Sequence, residues 1–600
     1  MTTTSVGTAA PGWPASGAAR DDDRLYVVSR NTDQTRVAEI DIFDFSLLRQ
    51  RTLPAGDGAW GVTLAPDGVY AGLFGARGSG NLYRLTASSS TAVAQLAVDY
   101  IWDLTAGGDG TVYGVAGQPS LVFRYSPSTG TAHNIGLLSG NQRPRTCTLL
   151  GTRLVVGGND AGQAYLVDRS VAGGSTRDLL PSALTLDDTV YCSATTADGR
   201  VVIGTAGREL ATPAMAVIDA SSPDAAIVVR LPREALVDTV AVDGDAVFAT
   251  ARPSGGLYRL DLGSRRLFRL DVPVPMSETR DLSVVGQHVI GASADGSVWR
   301  YNRNTDSSTV VDPHSLGLGL HPQRAQSICA ASTHVDVGGS FSITRHNLAT
   351  GTTATRFVPG EPKALVDVDG TTYFAIYPIG EVWVWRPGAV GPSRLTQLDS
   401  DQTRPIAMAY LAQFDALVCT TTDDLTRSVL NTIDAVTGRV DKVVNPLGSQ
   451  SVAGVTTNGG TIYVGGSGNA PAVAAFDATS GARLWTLPNI IPGGGFVLGL
   501  QVVAGRLAIS TSRGWFTTVE LGSLSVATAV QLAALGGQLR ARGSNVLLAT
   551  GDSLLRINPT TRVATPLETN LAGQHWNWPP MDTDPSGRAW LMRGRDLVHN

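Results

Sequence analysis

Short runs of alternating apolar and polar residues, separated by tight turns, make up most of this 600-residue chain. The stretch Ile101–Tyr125 contains three of them, Ile101–Ala106, Thr111–Val115 and Leu121–Tyr125. Each run is rich in β-branched and aromatic residues, and Gly108–Gly110 between the first two has the composition of a hairpin turn. The pattern predicts three strands of an antiparallel meander.

The turn between the first and second strands recurs along the whole chain. Its spacing, roughly 38 to 48 residues, is typical of a four-stranded propeller blade. Third-strand sequences recur as well, for example NLYRL from Asn81 and GLYRLDL from Gly256. The turn occurs fourteen times, at Asp22, Asp67, Asp109, Gly151, Asp198, Asp243, Gly286, Ser332, Asp369, Gln413, Gly459, Gly505, Gly543 and Ser586.

Fourteen blades are too many for one ring, because single-ring propellers have about four to eight. The sequence therefore predicts an all-β fold of two tandem seven-bladed β-propellers, residues 1–315 and 316–600. Pro313–Gln323 breaks the strand pattern at the boundary, as a linker or a short helical connector. The last repeat stops without an outer strand, so we expect Thr2–Val6 to close the second ring, since an unpaired sheet edge is a liability.

The composition agrees with this fold class and disfavours two classes of binding partner. Apolar residues at 43% can fill several cores, whereas charged residues at 16%, with 68 glycines and 31 prolines, favour short strands over long helices. A net charge of −5 disfavours nucleic acid and anionic membrane surfaces. The sequence has no apolar run that is long enough to predict a membrane span. The first residues lack the features of a signal peptide, which leaves secretion after its removal and a cytoplasmic location both open.

Metal and redox chemistry have little support in the sequence. The cysteines Cys147, Cys192, Cys329 and Cys419 show no CxxC spacing, and the eight histidines show no HExxH spacing. Three of the cysteines fall at similar places on predicted inner strands, where a small apolar residue packs well. We therefore expect buried thiols, with one disulfide as the open alternative.

The DG-T-x-Y turn and the x-Y-R-L third strand resemble those of the large superfamily of seven-bladed bacterial propellers, which includes WD-like, YVTN-like and PQQ-type repeat proteins. These motifs cover nearly the whole chain and are specific for the fold. The recurrent tryptophan-docking motif of PQQ blades is missing, so the resemblance implies no cofactor. Tyr100–Tyr125 and Tyr373–Pro387 also resemble, more loosely, blades of secreted propellers that include uronate-specific polysaccharide lyases.

In a propeller, the loops that lead into the inner strands gather around the central funnel. Tryptophans beside carboxylates and guanidiniums at such positions can stack on a sugar ring and hydrogen-bond its hydroxyls. The alternative is that the acids and arginines pair with one another and lock neighbouring blades together. The first-ring positions hold Trp60, Trp102, Asp103, Arg143, Arg145, Asp187, Asp188, Asp238, Arg280 and Asp281.

The second ring has a different character, because three successive repeats place Arg324, Lys363 and Arg404 at what the sequence predicts to be equivalent positions. Arg513, Arg593 and Tyr377 are expected in loops that join second and third strands on the same face. Converging cations repel one another unless an anion or nearby carboxylates compensate them. The pattern predicts a pocket for a carboxylate, sulfate or phosphate, which arginine contacts in a bidentate manner.

Internal compensation is the alternative, with Asp423, Asp424 and Asp552 as the candidate carboxylates that would neutralise these cations.

The last repeat adds the densest aromatic cluster of the chain, the sequence HWNWPP from His575, which includes Trp576 and Trp578. Packing at the closure of the ring accounts for two tryptophans.

If these side chains instead face the funnel, His575 can act as a general base and Tyr377 as a proton donor, while Arg404 neutralises a carboxylate. Elimination from a uronate needs a base, an acid for the leaving oxygen and cations that raise the acidity of the C–H bond next to the carboxylate.

The sequence thus predicts binding of an anionic saccharide or small organic acid in a propeller funnel, with the second ring preferred, and lyase activity on a uronate-containing polysaccharide as its catalytic form. No GxSxG, Walker or Rossmann motif occurs. Two alternatives stay open. One is a non-catalytic scaffold that presents two discs to protein partners. The other is a tailoring enzyme for a secondary metabolite, which an apolar funnel around Trp60 and Trp102 would indicate.

Overall fold

The computed structural model describes residues 3–76, 81–117, 119–136, 144–158, 164–168, 176–184, 189–207, 212–398, 402–422, 427–533 and 535–600. The chain forms two compact units. The first ring is residues 13–321, and the second ring combines residues 3–12 with residues 322–600. Each unit contains seven antiparallel four-stranded blades, which confirms the all-β fold of two seven-bladed propellers.

The first ring contains blades 1 to 7, in which the chain runs from an innermost to an outermost strand. A single bridge, Ala206 to Leu236, joins the edges of blades 5 and 6. In chain order the strands are Ala15–Arg20, Arg24–Ser29, Arg36–Asp41, Leu47–Thr52; Gly58–Ala65, Gly68–Phe74, Leu82–Leu85, Ser90–Ala94; Tyr100–Ala106, Val112–Gly117, Leu121–Ser126, Thr131–Gly136; Pro144–Leu150, Arg153–Gly158, Ala164–Asp168, Thr176–Asp178; Thr189–Thr195, Val201–Ala206, Ala214–Ile218, Ile227–Arg230; Leu236–Asp243, Ala246–Arg252, Gly256–Asp261, Arg266–Asp271; and Thr279–Val285, His288–Ser293, Val298–Asn302, Ser307–Val311.

The second ring contains blades 8 to 14 in the same order. Its strands are Ser327–Ala330, His334–Gly338, Ser342–Asn347, Thr353–Phe357; Glu361–Val368, Thr371–Tyr377, Glu381–Trp385, Ser393–Gln397; Arg404–Leu411, Ala416–Thr422, Ser428–Asp434, Val440–Val444; Val452–Asn458, Thr461–Gly466, Val473–Asp477, Arg483–Leu487; Val497–Val503, Arg506–Thr511, Trp515–Glu520, Ser525–Val526 with Val530–Gln531; Gly536–Arg542, Asn545–Thr550, Leu554–Ile557, Ala564–Glu568; and Asp582–Thr583, Ala589–Arg593, Asp596–His599, Thr4–Thr8.

Few other elements occur in the described part of the chain. They are the 3₁₀ turns Pro223–Ala225 and Ala412–Phe414 and the two-residue strands Pro11–Gly12 and His321–Pro322. None of the described segments forms a helix with the length and hydropathy that a membrane span requires. The segment after Pro313 forms turns instead of the helical connector considered above, and Leu316 and Leu318 are buried in the first ring.

Each ring closes on itself through its inner strands. In the first ring every inner strand contacts the next, and Thr279–Val285 of blade 7 contacts Ala15–Arg20 of blade 1. In the second ring Asp582–Thr583 of blade 14 likewise contacts Ser327–Ala330 of blade 8. The outer strand of blade 14 is Thr4–Thr8, which pairs with Asp596–His599. Residues 3–12 thus belong to the second ring, whereas the sequence assigned 1–315 to the first; Thr2 lies outside the described residues.

Glycines in the second strands allow neighbouring blades to pack closely. A Cβ atom at Gly72, Gly157 or Gly204 would lie 2.3, 2.4 or 2.6 Å from a valine or isoleucine side chain of the next inner strand. Apolar cores fill the spaces between blades, because each sheet buries both faces. The four cysteines are free and buried in these layers, and burial raises the pKa of each thiol.

A β-bulge lies at the second or third residue of the inner strand in all seven blades of the first ring. A bulge sets two residues against one on the partner strand and redirects a side chain. Because it recurs at the same register, the same end of every inner strand carries one redirected residue. These bulge residues are Ser16, Trp60, Trp102, Arg145, Tyr191, Asp238 and Arg280.

Candidate functional site

The bulge residues of the first ring converge on its centre. The indole of Trp60, in blade 2, has three guanidinium carbons near its centroid: Arg30 of blade 1 at 4.7 Å, Arg280 of blade 7 at 5.1 Å and Arg145 of blade 4 at 5.7 Å. A side chain of blade 2 reaches blades 4 and 7 across the middle of a seven-bladed ring. The funnel of the first ring is therefore lined by these side chains.

Arg145 lies between aromatic rings. Its guanidinium carbon is 4.6 Å from the centroids of both Trp102 and Tyr191, and its Nη2 donates a 2.6 Å hydrogen bond to the Tyr191 hydroxyl. Trp60 and Trp102 are in contact, with centroids 6.0 Å apart, and Phe74 and Tyr100 stack on their outer sides. Cation–π contacts of this kind hold a planar guanidinium in a fixed orientation.

Two buried carboxylates accompany these cations. Glu278 forms ion pairs with Arg252 at 3.0 Å and with Arg280 at 2.5 Å, and Arg252 also pairs with Asp238. Asp238 accepts a hydrogen bond from the backbone N–H of Thr279 in the next blade. These contacts support the interpretation that acids and arginines lock blades together, at least between blades 6 and 7.

We call Arg30, Trp60, Trp102, Arg145, Tyr191, Asp238, Arg252, Glu278 and Arg280 the first-ring cluster. Burial would raise the pKa of Glu278, but the attraction of Arg252, Arg280, Arg145 and Arg30 outweighs it and the pKa is lowered. Burial, together with repulsion from Arg30 and Arg252, lowers the pKa of Arg280 to about 10. The carboxylate of Glu278 therefore interacts electrostatically with four arginines.

Asp103 lies next to the bulge residue Trp102 but points into the strand below. It accepts hydrogen bonds from the Thr146 hydroxyl at 2.9 Å and the Cys147 N–H at 2.8 Å, both in blade 4. Burial raises its pKa to about 6. Burial also raises the pKa of Asp281 to about 7, against the opposing effect of Arg20. Asp103 is thus a blade-to-blade contact and not a group presented at the funnel.

Sequence reasoning found Trp60, Trp102, Arg145, Asp238 and Arg280 but missed the other members of the cluster. A constant offset could have found Tyr191, which lies seven residues before its turn at Asp198, as Trp60 and Trp102 lie before theirs. Arg30, Arg252 and Glu278 carry no such signal, since Arg30 follows a second strand, Arg252 ends one and Glu278 precedes an inner strand. Arg143, Asp187 and Asp188 lie outside the described residues.

In the second ring, Lys363 is the residue at the bulge of the blade 9 inner strand. Its Nζ lies 5.6 Å from the ring centroid of Tyr377 and 5.8 Å from that of Trp576. It forms a 2.7 Å ion pair with Glu361 and donates a 2.6 Å hydrogen bond to Gln326 of blade 8. Lys363 therefore connects three segments that are far apart in the sequence.

Arg404 joins this group through Tyr377. Its guanidinium carbon is 4.8 Å from the Tyr377 centroid, and Nη2 lies 3.4 Å from the hydroxyl oxygen. Arg404 begins the blade 10 inner strand, whose bulge residue is Ile406, and Arg324 precedes the inner strand of blade 8. The predicted equivalence of Arg324, Lys363 and Arg404 is wrong, because Lys363 occupies its bulge, Arg404 lies two residues before its own bulge, and Arg324 lies before its inner strand.

His575 is held beside Arg324 by backbone pairing. Residues Ala325 and His575 form a parallel bridge, and the N–H of Trp576 donates to the Ala325 carbonyl at 3.0 Å. Burial lowers the pKa of His575, and the positive charge of Arg324 lowers it further. The Nδ1 atom of His575 is buried and has no hydrogen-bond partner among the described residues. Both effects favour the neutral form of the imidazole.

We call Arg324, Gln326, Glu361, Lys363, Tyr377, Arg404, His575 and Trp576 the second-ring cluster. Two predicted members lie elsewhere. Trp578 packs against Phe496 with centroids 5.6 Å apart, and Arg513 donates to the Gly493 carbonyl at 2.9 Å. Asp552 lines a separate cavity of about 330 Å³ with Leu532, Leu535 and Leu555. Asp423 and Asp424 lie outside the described residues.

The part of the chain that the structure describes contains no group of three side chains suited to hold a metal ion. No protein-family model matches the chain, and no curated protein sequence is similar to it. Among solved structures, the crystal structure of the computationally designed Ika8 protein is similar, with 16% identity and a TM-score of 0.32 over 52% of this chain and 92% of that one.

Proposed function

We propose that the second-ring cluster binds the carboxylate of an anionic saccharide or small organic acid. The observation that carries this proposal is the position of Lys363 between the Tyr377 and Trp576 rings, with Arg404 on the same tyrosine. Flat aromatic rings suit the apolar face of a sugar, and cations beside them suit its carboxylate. The looser resemblance to propellers that include uronate-specific lyases agrees with this ligand class.

The same residues supply the parts of a β-elimination. His575 as a neutral imidazole would remove the proton at the carbon next to the carboxylate, while Arg404 and Lys363 stabilise the negative charge that develops on its oxygens. The carbon–oxygen bond at the neighbouring carbon breaks and a carbon–carbon double bond forms. Tyr377 would give its proton to the leaving oxygen.

The test is ultraviolet absorbance of unsaturated uronates across a polysaccharide panel, with melting shifts for free uronic acids. We expect Arg404→Gln and Lys363→Met to weaken uronate binding about tenfold each, since each loses a charge-assisted contact. Tyr377→Phe and His575→Gln should abolish elimination but leave binding nearly unchanged. Arg439→Gln is the matched control, because Arg439 is 76% exposed and pairs with Asp441 on an outer strand.

One observation favours the non-catalytic scaffold as a second candidate. Lys363 already forms an ion pair with Glu361, as expected where cations serve the fold rather than a ligand. No product from any polysaccharide, together with no melting shift from any uronic acid, would favour the scaffold and exclude the binding proposal. The tailoring enzyme gains no support, since guanidiniums lie over the Trp60 and Trp102 rings where an apolar funnel would be needed.

A further inference from the structure

Trp578 and Arg513 lie outside the second-ring cluster, yet both lie beside Phe496. The centroids of the Trp578 and Phe496 rings are 5.6 Å apart. A Cβ atom at Gly495, the residue before Phe496, would lie 3.2 Å from Cγ of Arg513. Phe496 precedes the inner strand of blade 12, and Trp578 precedes that of blade 14. Two aromatic rings and a guanidinium therefore form a second group at the entry loops of this ring.

The loop 574–580, which contains both tryptophans of HWNWPP, is held at both ends. Near its start the N–H of Trp576 donates to the carbonyl of Ala325, before blade 8, at 3.0 Å. Near its end a Cβ atom at Gly537 of blade 13 would lie 2.6 Å from the Pro579 carbonyl oxygen. Pro579 is buried, and its ring restricts the backbone torsion φ. The backbone between these two contacts is therefore fixed on both sides.

The two tryptophans of this loop contact the two groups. Trp576 has its ring centroid 5.8 Å from Nζ of Lys363, whereas Trp578 contacts Phe496. Residues two positions apart are separated by at most about 7 Å along an extended backbone. Successive rings of one saccharide chain can therefore reach both tryptophans.

The second group is accessible to a ligand. Phe496 is 40% exposed, and Arg513 is exposed as well. Asn577, between the two tryptophans, is exposed, and its side-chain amide can both donate to and accept from sugar hydroxyls. Accessible aromatic rings suit the apolar face of a sugar, and a guanidinium beside them suits a carboxylate. The second group thus repeats the chemistry of the first.

We propose that Phe496, Trp578 and Arg513 form a second subsite, which binds the next residue of a polyuronate chain whose first carboxylate lies at Lys363. This inference rests on the function proposed above, and it narrows the ligand class to a chain of successive uronates. Such a chain carries a carboxylate on every ring, so each subsite needs its own cation. A single organic acid would contact the second-ring cluster alone.

The experiment is titration calorimetry of the full chain with the monomer, dimer and trimer of one uronic acid. We expect the trimer to bind about tenfold more tightly than the monomer, because it gains an aromatic and a charge-assisted contact. Trp578→Ala and Arg513→Gln should each remove most of this gain and leave monomer binding unchanged. Phe357→Ala and Arg439→Gln are the matched controls, since these side chains are 41% and 76% exposed on outer strands.

Two further measurements keep the comparison clear. Titrations of the His575→Gln variant compare the same ligands without cleavage of the oligomers. Thermal melting of every variant separates lost binding from lost folding, and Arg513→Gln changes an exposed side chain, so it tests the subsite even where Trp578→Ala unfolds the ring.

The outcomes distinguish the second subsite from the function proposed for the first. Equal affinity for monomer and trimer would overturn the second subsite and leave the first intact. A trimer affinity that neither Trp578→Ala nor Arg513→Gln lowers would do the same. Trimer binding that Trp578→Ala weakens but Arg404→Gln does not would support the second subsite and overturn the function proposed for the first. No binding of any uronate would overturn both.

Discussion

The two rings use the same backbone feature for different chemistry. In the first ring the seven bulges carry aromatic, charged or hydroxyl side chains, and five of them, Trp60, Trp102, Arg145, Tyr191 and Arg280, are linked by contacts at the centre. In the second ring the bulges at Lys363, Ile406 and Leu498 carry one cation and two apolar groups, while the other polar groups come from the surrounding segments. The comparison teaches that the blade backbone determines where a side chain lies, whereas the residue type at that position determines its chemistry.

The rings also differ in how they close, which gives the largest expected effect. Deletion of residues 3–10 removes the outer strand of blade 14 and the hydrogen bonds of Ala9 and Ala10 to Arg595 and Gln323. We expect the melting temperature of the second ring to fall by about 10 °C or more, because a whole strand is lost. Calorimetry with hydrogen exchange measures both rings, and the first ring is the internal control. Unchanged exchange in blades 8 and 14 would contradict this role of the strand.

The carboxylates of the two clusters should differ in their contribution to stability. Glu278→Gln leaves four guanidiniums around a neutral amide, so we expect a loss of about 3 kcal/mol in the free energy of unfolding. Glu361→Gln leaves a single lysine, and about 1 kcal/mol is expected. Urea denaturation of both variants measures the difference. Equal losses would mean that the arginines of the first ring are not crowded.

The rigidity of the first-ring cluster can be tested at a glycine. Gly117→Ala brings a methyl group against Trp102, which must shift, and we expect a loss of about 1 to 2 kcal/mol of stability. The matched control is Gly108→Ala, since a Cβ there meets no atom within 4 Å. A Gly117→Ala protein with unaltered stability would show that Trp102 need not be held in place.

The smallest expected effect is a change in the pH dependence of stability. The pKa of Asp103 is about 6 and that of Asp281 about 7, both raised by burial above the unfolded values. A raised carboxyl pKa stabilises the fold at low pH, and this stabilisation is lost as the pH rises through 6 to 7. Asp281→Asn should therefore raise stability at pH 8 by about 1 kcal/mol and flatten this dependence.

Melting curves between pH 5 and pH 8 measure this effect, and the exposed Asp245→Asn serves as the control. The second ring contains Asp367, whose pKa burial raises to about 6, so domain-resolved hydrogen exchange is needed to assign the change to the first ring. If the stability of Asp281→Asn depends on pH as that of the unaltered chain does, the assignment of this dependence to Asp281 is wrong.

Much of the fold could be predicted because it depends on local sequence. Turns such as Asp109-Gly110 and the alternating strands around them define each blade, and counting turns gives fourteen blades. The boundary between the two rings was harder to predict. Leu316 and Leu318 follow the last strand of blade 7 yet pack in the first ring core, which no strand pattern reveals.

The candidate site was predictable only in part. Trp60, Trp102 and Arg145 stand out because blades do not require such side chains at those positions. Glu278 and Arg252 do not stand out, since a charged residue in a loop or at a strand end is ordinary. Their importance arises from ring closure, which brings blade 7 beside blade 1 and sets residues about 200 positions apart around one indole.

The sequence by itself determined the strands, the blades and their division into two rings, because strand periodicity and turn chemistry act over a few residues. Tertiary structure alone decided which side chains meet at each funnel and which strand completes blade 14. The physical reason is that a propeller closes through contacts between distant segments. Bulges then set each side chain's direction by backbone hydrogen bonding and not by residue type.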